Sequence, residues 1–294
     1  MDSQGRRRFG LGGRWAYGLG VLLLGLAVVT AMRGLEAEVL RGVSVWGFAA
    51  LMGLVGINLG STVLLFWSVT RSFAADPPVG VGKMGLLIAM SGLLNYVPVV
   101  RAGLWGRAAY LKARHGLPVR QSVEILGVVV VLTGVVLGGA GAWLAWGPTA
   151  LRWGGLLGGL VGLSVATPWL ARWLYWRQVV QGWTWVPLRA LDLGLTAGRL
   201  WLALWLLGVA AGPGEVVLLA SGSVLVRLTG LTPNGLGLSE WTVAALGAAL
   251  TGVDGPTAAA AAILDRAAEA LVSVIAGSAA VWVLSREGRA VAGG

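Results

Sequence analysis

The chain has 294 residues, of which 57% are hydrophobic and 12% charged, and its mean hydropathy is +0.81. A soluble domain carries about 25% charged residues, so this composition excludes an ordinary globule and points to a polytopic membrane protein. Basic residues outnumber acidic ones 22 to 12, nearly all of them arginine, with Lys83 and Lys112 the lysines. In so apolar a chain that excess belongs to cytoplasmic loops and anionic head groups, and no nucleic-acid partner is expected. With no cysteine and a single histidine, His115, neither a metal centre nor a cysteine- or histidine-based catalytic set is expected. No cofactor and no catalytic residue is assigned.

The basic start, Arg6 to Arg8 with Arg14, precedes Trp15 to Met32, 18 residues without a charge. That run is long for the core of a signal peptide and no small-residue cleavage site follows it. Residues 1–14 are therefore expected as a cytoplasmic basic segment and Trp15 to Met32 as the first crossing. Further crossings are expected at Gly42 to Thr70, Ile125 to Leu151, Trp153 to Ala171, Leu200 to Gly214 and Pro256 to Leu284, the last interrupted by Asp265, Arg266 and Glu269. About six spans result, since each needs about 20 apolar residues. Tryptophans near the expected ends, Trp143, Trp146 and Trp153, then Trp173, Trp176, Trp183 and Trp185, read as an interfacial belt.

Two apolar segments do not fit a simple crossing. Met84 to Val100 carries Asn95 and Pro98 and runs into Arg101, Arg107, Lys112, Arg114 and Arg120. A crossing would export those five basic residues against the positive-inside rule; a hairpin that turns at Asn95-Tyr96-Val97-Pro98 and returns as Leu104 to His115 keeps them inside. The second segment, Val216 to Val253, breaks at Thr232-Pro233-Asn234-Gly235-Leu236-Gly237 and would enter from the opposite face. The two break prolines lie about half the chain apart, as in inverted repeats with broken helices.

The expected fold is thus an all-α polytopic membrane protein: about six spanning helices plus two oppositely oriented re-entrant hairpins forming an inverted repeat. A single transmembrane domain would cover 15–284, with halves near 43–151 and 189–284, followed by a cytoplasmic tail at 285–294. Both termini are expected in the cytoplasm and the chain in the cell inner (plasma) membrane. Irregular backbone at membrane depth requires burial in protein or a wet cavity, so a polar cavity is expected at the breaks.

Each break starts a helix whose unpaired amides favour an anion. In the first, Gly103 permits close backbone approach and Arg101 and Arg107 offer forked donors matching phosphate oxygens; the competing reading makes both arginines interfacial. In the second, Glu240 is an acid inside an apolar stretch, which is costly unless paired or wet. Arg266 is its expected partner, with Asp265 and Glu269 as neighbours and Arg227 as competitor; the competing reading is a structural ion pair. Glu124 is expected to compensate a helix N-terminus, His115 to be a solvated cation at a helix end, Asp192 and Arg199 to be interfacial or paired, and the glycines of Gly154 to Gly162 to allow close helix packing.

Pro98-x-x-Arg101-x-Gly103-x-x-x-Arg107 with its basic stretch, and Pro233-x-Gly235-Leu236-Gly237-x-x-Glu240 with the later Leu264-Asp265-Arg266, resemble the lysylphosphatidylglycerol synthase transmembrane region family. That family includes the flippase portion of multiple peptide resistance factor proteins. The resemblance runs from about Trp15 to Leu284 and is sharp only at these motifs. It implies movement of an anionic, aminoacylated or polyprenyl-linked glycosylated lipid between leaflets, with Asn95, Pro98, Arg101, Gly103, Arg107, Pro233, Asn234, Gly235, Gly237, Glu240, Asp265 and Arg266 as substrate-binding residues and membrane lipids as partners. Two departures stand out. Gly127 to Leu132 is wholly apolar where the family suggests a charge, and no soluble aminoacyltransferase domain is expected, so the chain itself would not aminoacylate a lipid. The alternatives are a non-catalytic membrane partner of a separate glycosyltransferase or lipid synthase, and a membrane-embedded transferase.

Overall fold

The computed structural model describes Leu22 and residues 43–73, 78–96, 102–145 and 184–292. The expected first crossing apart from Leu22, the span Trp153 to Ala171, Gly154 to Gly162, the tryptophans Trp146, Trp153, Trp173, Trp176 and Trp183, and the site residues Pro98 and Arg101 lie outside the described residues.

From residue 43 onward the described chain is helical, without a strand among the described residues. The helices are α1 (Val45–Thr70), α2 (Val81–Leu94), α3 (Ala102–His115), α4 (Val119–Ala145), α5 (Trp185–Leu206), α6 (Pro213–Thr229), α7 (Leu238–Leu250) and α8 (Gly255–Ala292), with a 3-10 turn at Pro233–Gly235 between α6 and α7. Three are long and apolar enough to cross a membrane: α1, Val119–Leu144 of α4, and Gly255–Arg286 of α8. At about 1.5 Å per residue each exceeds the roughly 30 Å hydrocarbon core. Their surfaces present large apolar side chains outward, among them Trp46, Ile57, Leu64, Val130, Val131, Val274, Ile275 and Val281, an exposure suited to lipid.

The expected span at Leu200 to Gly214 needs correction. The helix there is α5, which starts at Trp185 and ends before Gly208, whose φ of +79° stops it. Arg189, Asp192 and Arg199 all lie inside α5, and each is ion-paired, so charges that read as boundaries in the sequence do not end the helix. Helix ends fall near both breaks. Helix α2 ends at Leu94 with a turn through Asn95 and Tyr96, α3 ends at His115 before left-handed Gly116, and α6 ends at Gly230, also left-handed. The arms α2, α3 and α7 are 14, 14 and 13 residues long, about 20 Å each, too short to cross alone.

The described residues group into two units. The first gathers those of Met1–Val55, Ala89–Gly106 and Ala197–Gly294; the second gathers those of Gly56–Ile88 and Arg107–Thr196. In the first, Leu51 and Val55 of α1, Leu200 and Leu204 of α5, Leu219 of α6, Val243 of α7 and Ala258 to Ala261 of α8 form one buried core. Small residues bring α7 and α8 together: a Cβ on Gly247 would lie 2.7 Å from that of Ala258. The end of α2 packs on α8 in the same way, because a Cβ on Gly277 would lie 2.9 Å from the Ala89 carbonyl.

In the second unit Met84, Leu87, Leu111, Trp185 and Val186 are buried, and the Trp185 indole donates to Ser68 Oγ at 3.0 Å. Trp185 and Trp143 are therefore packed inside and not interfacial anchors, as the sequence suggested; Trp46, Trp105, Trp201, Trp205 and Trp282 are exposed. His115 is also corrected: it is buried against Tyr110, not solvated. Glu124 lies in the second turn of α4, where it pairs with exposed Arg120 at 2.9 Å and leaves the helix N-terminus to other groups.

Candidate functional site

The second break is built by backbone freedom. Asn234 adopts φ +51°, a left-handed conformation tolerated by asparagine, and Gly235 and Gly237 continue with φ +72° and +77°. At Gly235 no side chain fits, since a Cβ would lie 2.8 Å from Arg227 Cγ. The chain then enters α7 with Glu240 in its first turn, wholly buried.

A carboxylate at that depth needs a cation, and α8 supplies it. Arg266 Nε donates to Glu240 Oε1 at 3.0 Å, its Nη2 to Ser239 Oγ at 2.8 Å and its Nη1 to Glu269 Oε1 at 3.3 Å. Glu269 lies one turn beyond Asp265 on the same helix face and is the hub. It also accepts from Arg227 at 2.8 Å, Arg199 at 3.0 Å and the Asn234 side-chain amide at 3.2 Å. Arg199 clamps Asp265 through two bonds of 2.8 and 2.9 Å, and Arg227 lies 3.9 Å from the same acid. Three arginines and three carboxylates from four helices thus form one network, with Arg199, Glu240, Asp265 and Arg266 buried and Arg227 and Glu269 partly so. Charges so placed are expensive individually and tolerable only because each is matched.

The first break reaches this network through Tyr96, whose hydroxyl lies within electrostatic range of Arg266, Arg227 and Glu269. The turn is held by Ser91 Oγ donating to the Gly103 carbonyl at 2.9 Å and by Gly103 N donating to Asn95 Oδ1 at 3.2 Å. A Cβ on Gly103 would overlap the Ser91 carbonyl, so close approach of α2 and α3 requires glycine there.

Of the expected site residues, Asn234, Glu240, Asp265 and Arg266 meet in the network, and Asn95 and Gly103 shape the turn that brings Tyr96 to it. Pro233, Gly235 and Gly237 provide the second turn. Arg107 belongs to the other unit. It is buried, not a solvated interfacial side chain, with its guanidinium 4.2 Å from the centre of the Phe66 ring and no carboxylate in ion-pair range among the described residues. Glu269, Arg199 and Tyr96 carry more of the site than their sequence context suggested. The signal for Glu269 was its spacing from Asp265 and Arg266, which puts all three on neighbouring faces of one helix.

The second unit holds a separate buried pair. Asp192 Oδ1 accepts from Asn58 at 2.8 Å, Ser61 at 2.9 Å and Thr62 at 2.6 Å, while Oδ2 meets Arg189, which also donates to Thr133 Oγ1 at 2.9 Å. This carboxylate is fully engaged and ties α1, α4 and α5 together. Among the described residues no group of acidic, histidine or cysteine side chains suits a metal ion.

No protein-family model, curated protein or solved structure matches the chain.

Proposed function

We propose that the protein is an integral membrane lipid flippase or transporter, moving an anionic, aminoacylated or polyprenyl-linked glycosylated lipid between leaflets of the cell inner membrane. The observation that carries this reading is the balanced network of six charges at the second break, where Asn234 and Glu240 meet Arg266 and Glu269 beside Tyr96 of the first break. Buried charge at membrane depth marks a polar path, and non-helical backbone there is tolerable only in protein or against water. In this reading the short arms α2–α3 and α6–α7 are re-entrant hairpins entering from opposite faces. About six crossings surround them as an inverted repeat, with both termini cytoplasmic. The motif resemblance to the lysylphosphatidylglycerol synthase transmembrane region family supports the same activity.

The test is leaflet exchange in proteoliposomes with fluorescent lipids of differing head group, read as the fraction open to a membrane-impermeant quencher. Exchange of one head-group class above that of empty liposomes is expected. Absence of exchange across the whole panel, with tight lipid binding retained, would assign the protein instead to a supporting role beside a separate membrane enzyme.

A further inference from the structure

Arg107 is 6% exposed, and its guanidinium carbon lies 4.2 Å from the centre of the Phe66 ring. Both residues belong to the second unit, Arg107 on α3 and Phe66 on α1. Leu65, Val69 and Leu111 of the same two helices are buried as well, and Leu111 follows Arg107 by one turn on the same face of α3.

A cation in such surroundings needs a negative charge, and the unit has none to spare. Its acids among the described residues are Glu124, paired with Arg120 at 2.9 Å, and Asp192, paired with Arg189. Lys112 and Arg114 of α3 add to the positive excess. Arginine stays protonated in a protein, so loss of a proton does not relieve the burial. Water can occupy the donors of Arg107 but brings no counter-charge. The arginines that hold the fold together, Arg189, Arg199, Arg227 and Arg266, each have a carboxylate in ion-pair range, whereas Arg107 has none among the described residues.

The Phe66 face offsets part of the cost through its quadrupole without neutralising the charge. A ring over the flat of a guanidinium also leaves the edges, where pairs of N–H groups fit two oxygens of one oxyanion. One uncompensated positive charge calls for one negative charge. A phosphodiester carries one and offers two equivalent oxygens to the fork; a phosphate monoester brings an excess of negative charge at neutral pH, and an uncharged sugar brings none.

We infer that Arg107 and Phe66 form a receptor for a phosphodiester, with the guanidinium on its two free oxygens and the ring holding the guanidinium in place. This deepens the proposed function by naming the head-group chemistry and rests on that reading for a lipid as the source; a soluble phosphodiester offers the same group.

The experiment measures binding to the full chain in nanodiscs by native mass spectrometry. Phosphatidylethanol, a minimal phosphodiester lipid, is compared with uncharged glucosyl diacylglycerol and with diethyl phosphate in solution. Phosphatidylethanol is expected to bind about tenfold or more tighter than glucosyl diacylglycerol. Arg107→Met should lose about tenfold in that affinity, and Arg107→Lys should fall between, since an ammonium keeps the charge and loses the fork. Lys112→Gln removes an exposed cation from the same helix and should change the affinity by less than about twofold. Without anionic lipid the thermal midpoint of Arg107→Met should equal or exceed that of the wild type, and phosphatidylethanol should raise the wild-type midpoint alone. A merely structural arginine would lower the midpoint on removal. Should Arg107→Met fail to fold, the wild type against Arg107→Lys and Lys112→Gln carries the test. Equal wild-type affinity for both lipids, or an affinity loss in Lys112→Gln as large as in the Arg107 variants, would overturn the inference, whether or not leaflet exchange is seen. Phosphatidylethanol binding lost in the Arg107 variants, with no leaflet exchange in the wild type, would leave the receptor standing and remove the transport reading. Diethyl phosphate binding as tightly as the lipid would support the receptor and assign it to a soluble ligand.

Discussion

Replacing Arg266 by glutamine removes the partner of Glu240 and one of three arginines on Glu269. Glu269 retains Arg199, Arg227 and Asn234, whereas the engaged oxygen of Glu240 loses its ion pair entirely. The cost therefore falls on Glu240, a wholly buried carboxylate, and an uncompensated buried charge of this kind costs about 3–5 kcal/mol. Glu240→Gln should cost less, about 1–3 kcal/mol, because Arg266 keeps Ser239 and Glu269 and the amide can still accept one bond. The double variant should cost less than the sum by about 1–3 kcal/mol, since the charge stranded by either single change disappears. The assay is a double-mutant cycle read by thermal unfolding in detergent, with leaflet exchange measured on the same preparations. Additivity within about 0.5 kcal/mol would refute the claim that the pair acts as a unit. Coupled stability with intact exchange would make it a structural tie.

Other perturbations test the supporting elements. Gly103→Ala should destabilise by about 1–3 kcal/mol in chemical unfolding, because its Cβ meets the Ser91 carbonyl, while Gly53→Ala, where nothing lies within 4 Å, should be neutral or slightly stabilising. Asp192→Ala should cost about 3–5 kcal/mol by stranding Arg189, and adding Arg189→Met should recover part of the loss in the same unfolding measurement. Glu215 accepts from the Gly252 and Gly212 amides at 2.7 Å each, and those bonds hold its carboxyl below the usual range. A lowered carboxylate contributes stability present above its unfolded pKa and lost as pH falls through the folded one. Thermal midpoints of the wild type should thus drop below about pH 4.5 more steeply than those of Glu215→Gln, and parallel curves would reject the latch. In this cysteine-free chain, cysteine placed at position 112 should be labelled from the cytoplasmic face; labelling only from outside would reject the first hairpin as drawn.

Much of the architecture was legible because the membrane restricts what a sequence can do. Proline, asparagine and glycine inside apolar runs have few meanings there: α2 ends at Leu94 just before Asn95, and the second turn occurs at Pro233 to Gly237. The Glu240–Arg266 pair was legible for a related reason: a lone acid in an apolar helix demands a cation, and α8 offers one. What failed was the rule that charges mark helix ends. In α5, Arg189 and Asp192 pair with each other one turn apart and bond to Thr133 and Asn58, while Arg199 pairs with Asp265; the long-range part of that pairing leaves no local trace. The same holds for Tyr96, which reads as a turn residue and owes its role to α8. Burial of His115 and Trp185 likewise depends on which neighbours the fold supplies, not on the polarity of their own segments.

The central claim is that lipid passes the second break, and Asn234 is the place to ask. It is half-buried on the turn, and its loss leaves Glu269 with three arginines. Asn234→Cys, reconstituted in proteoliposomes and modified with a bulky methanethiosulfonate reagent, should show leaflet exchange before modification and lose most of it afterwards. Complete modification with an unchanged exchange rate would contradict the account.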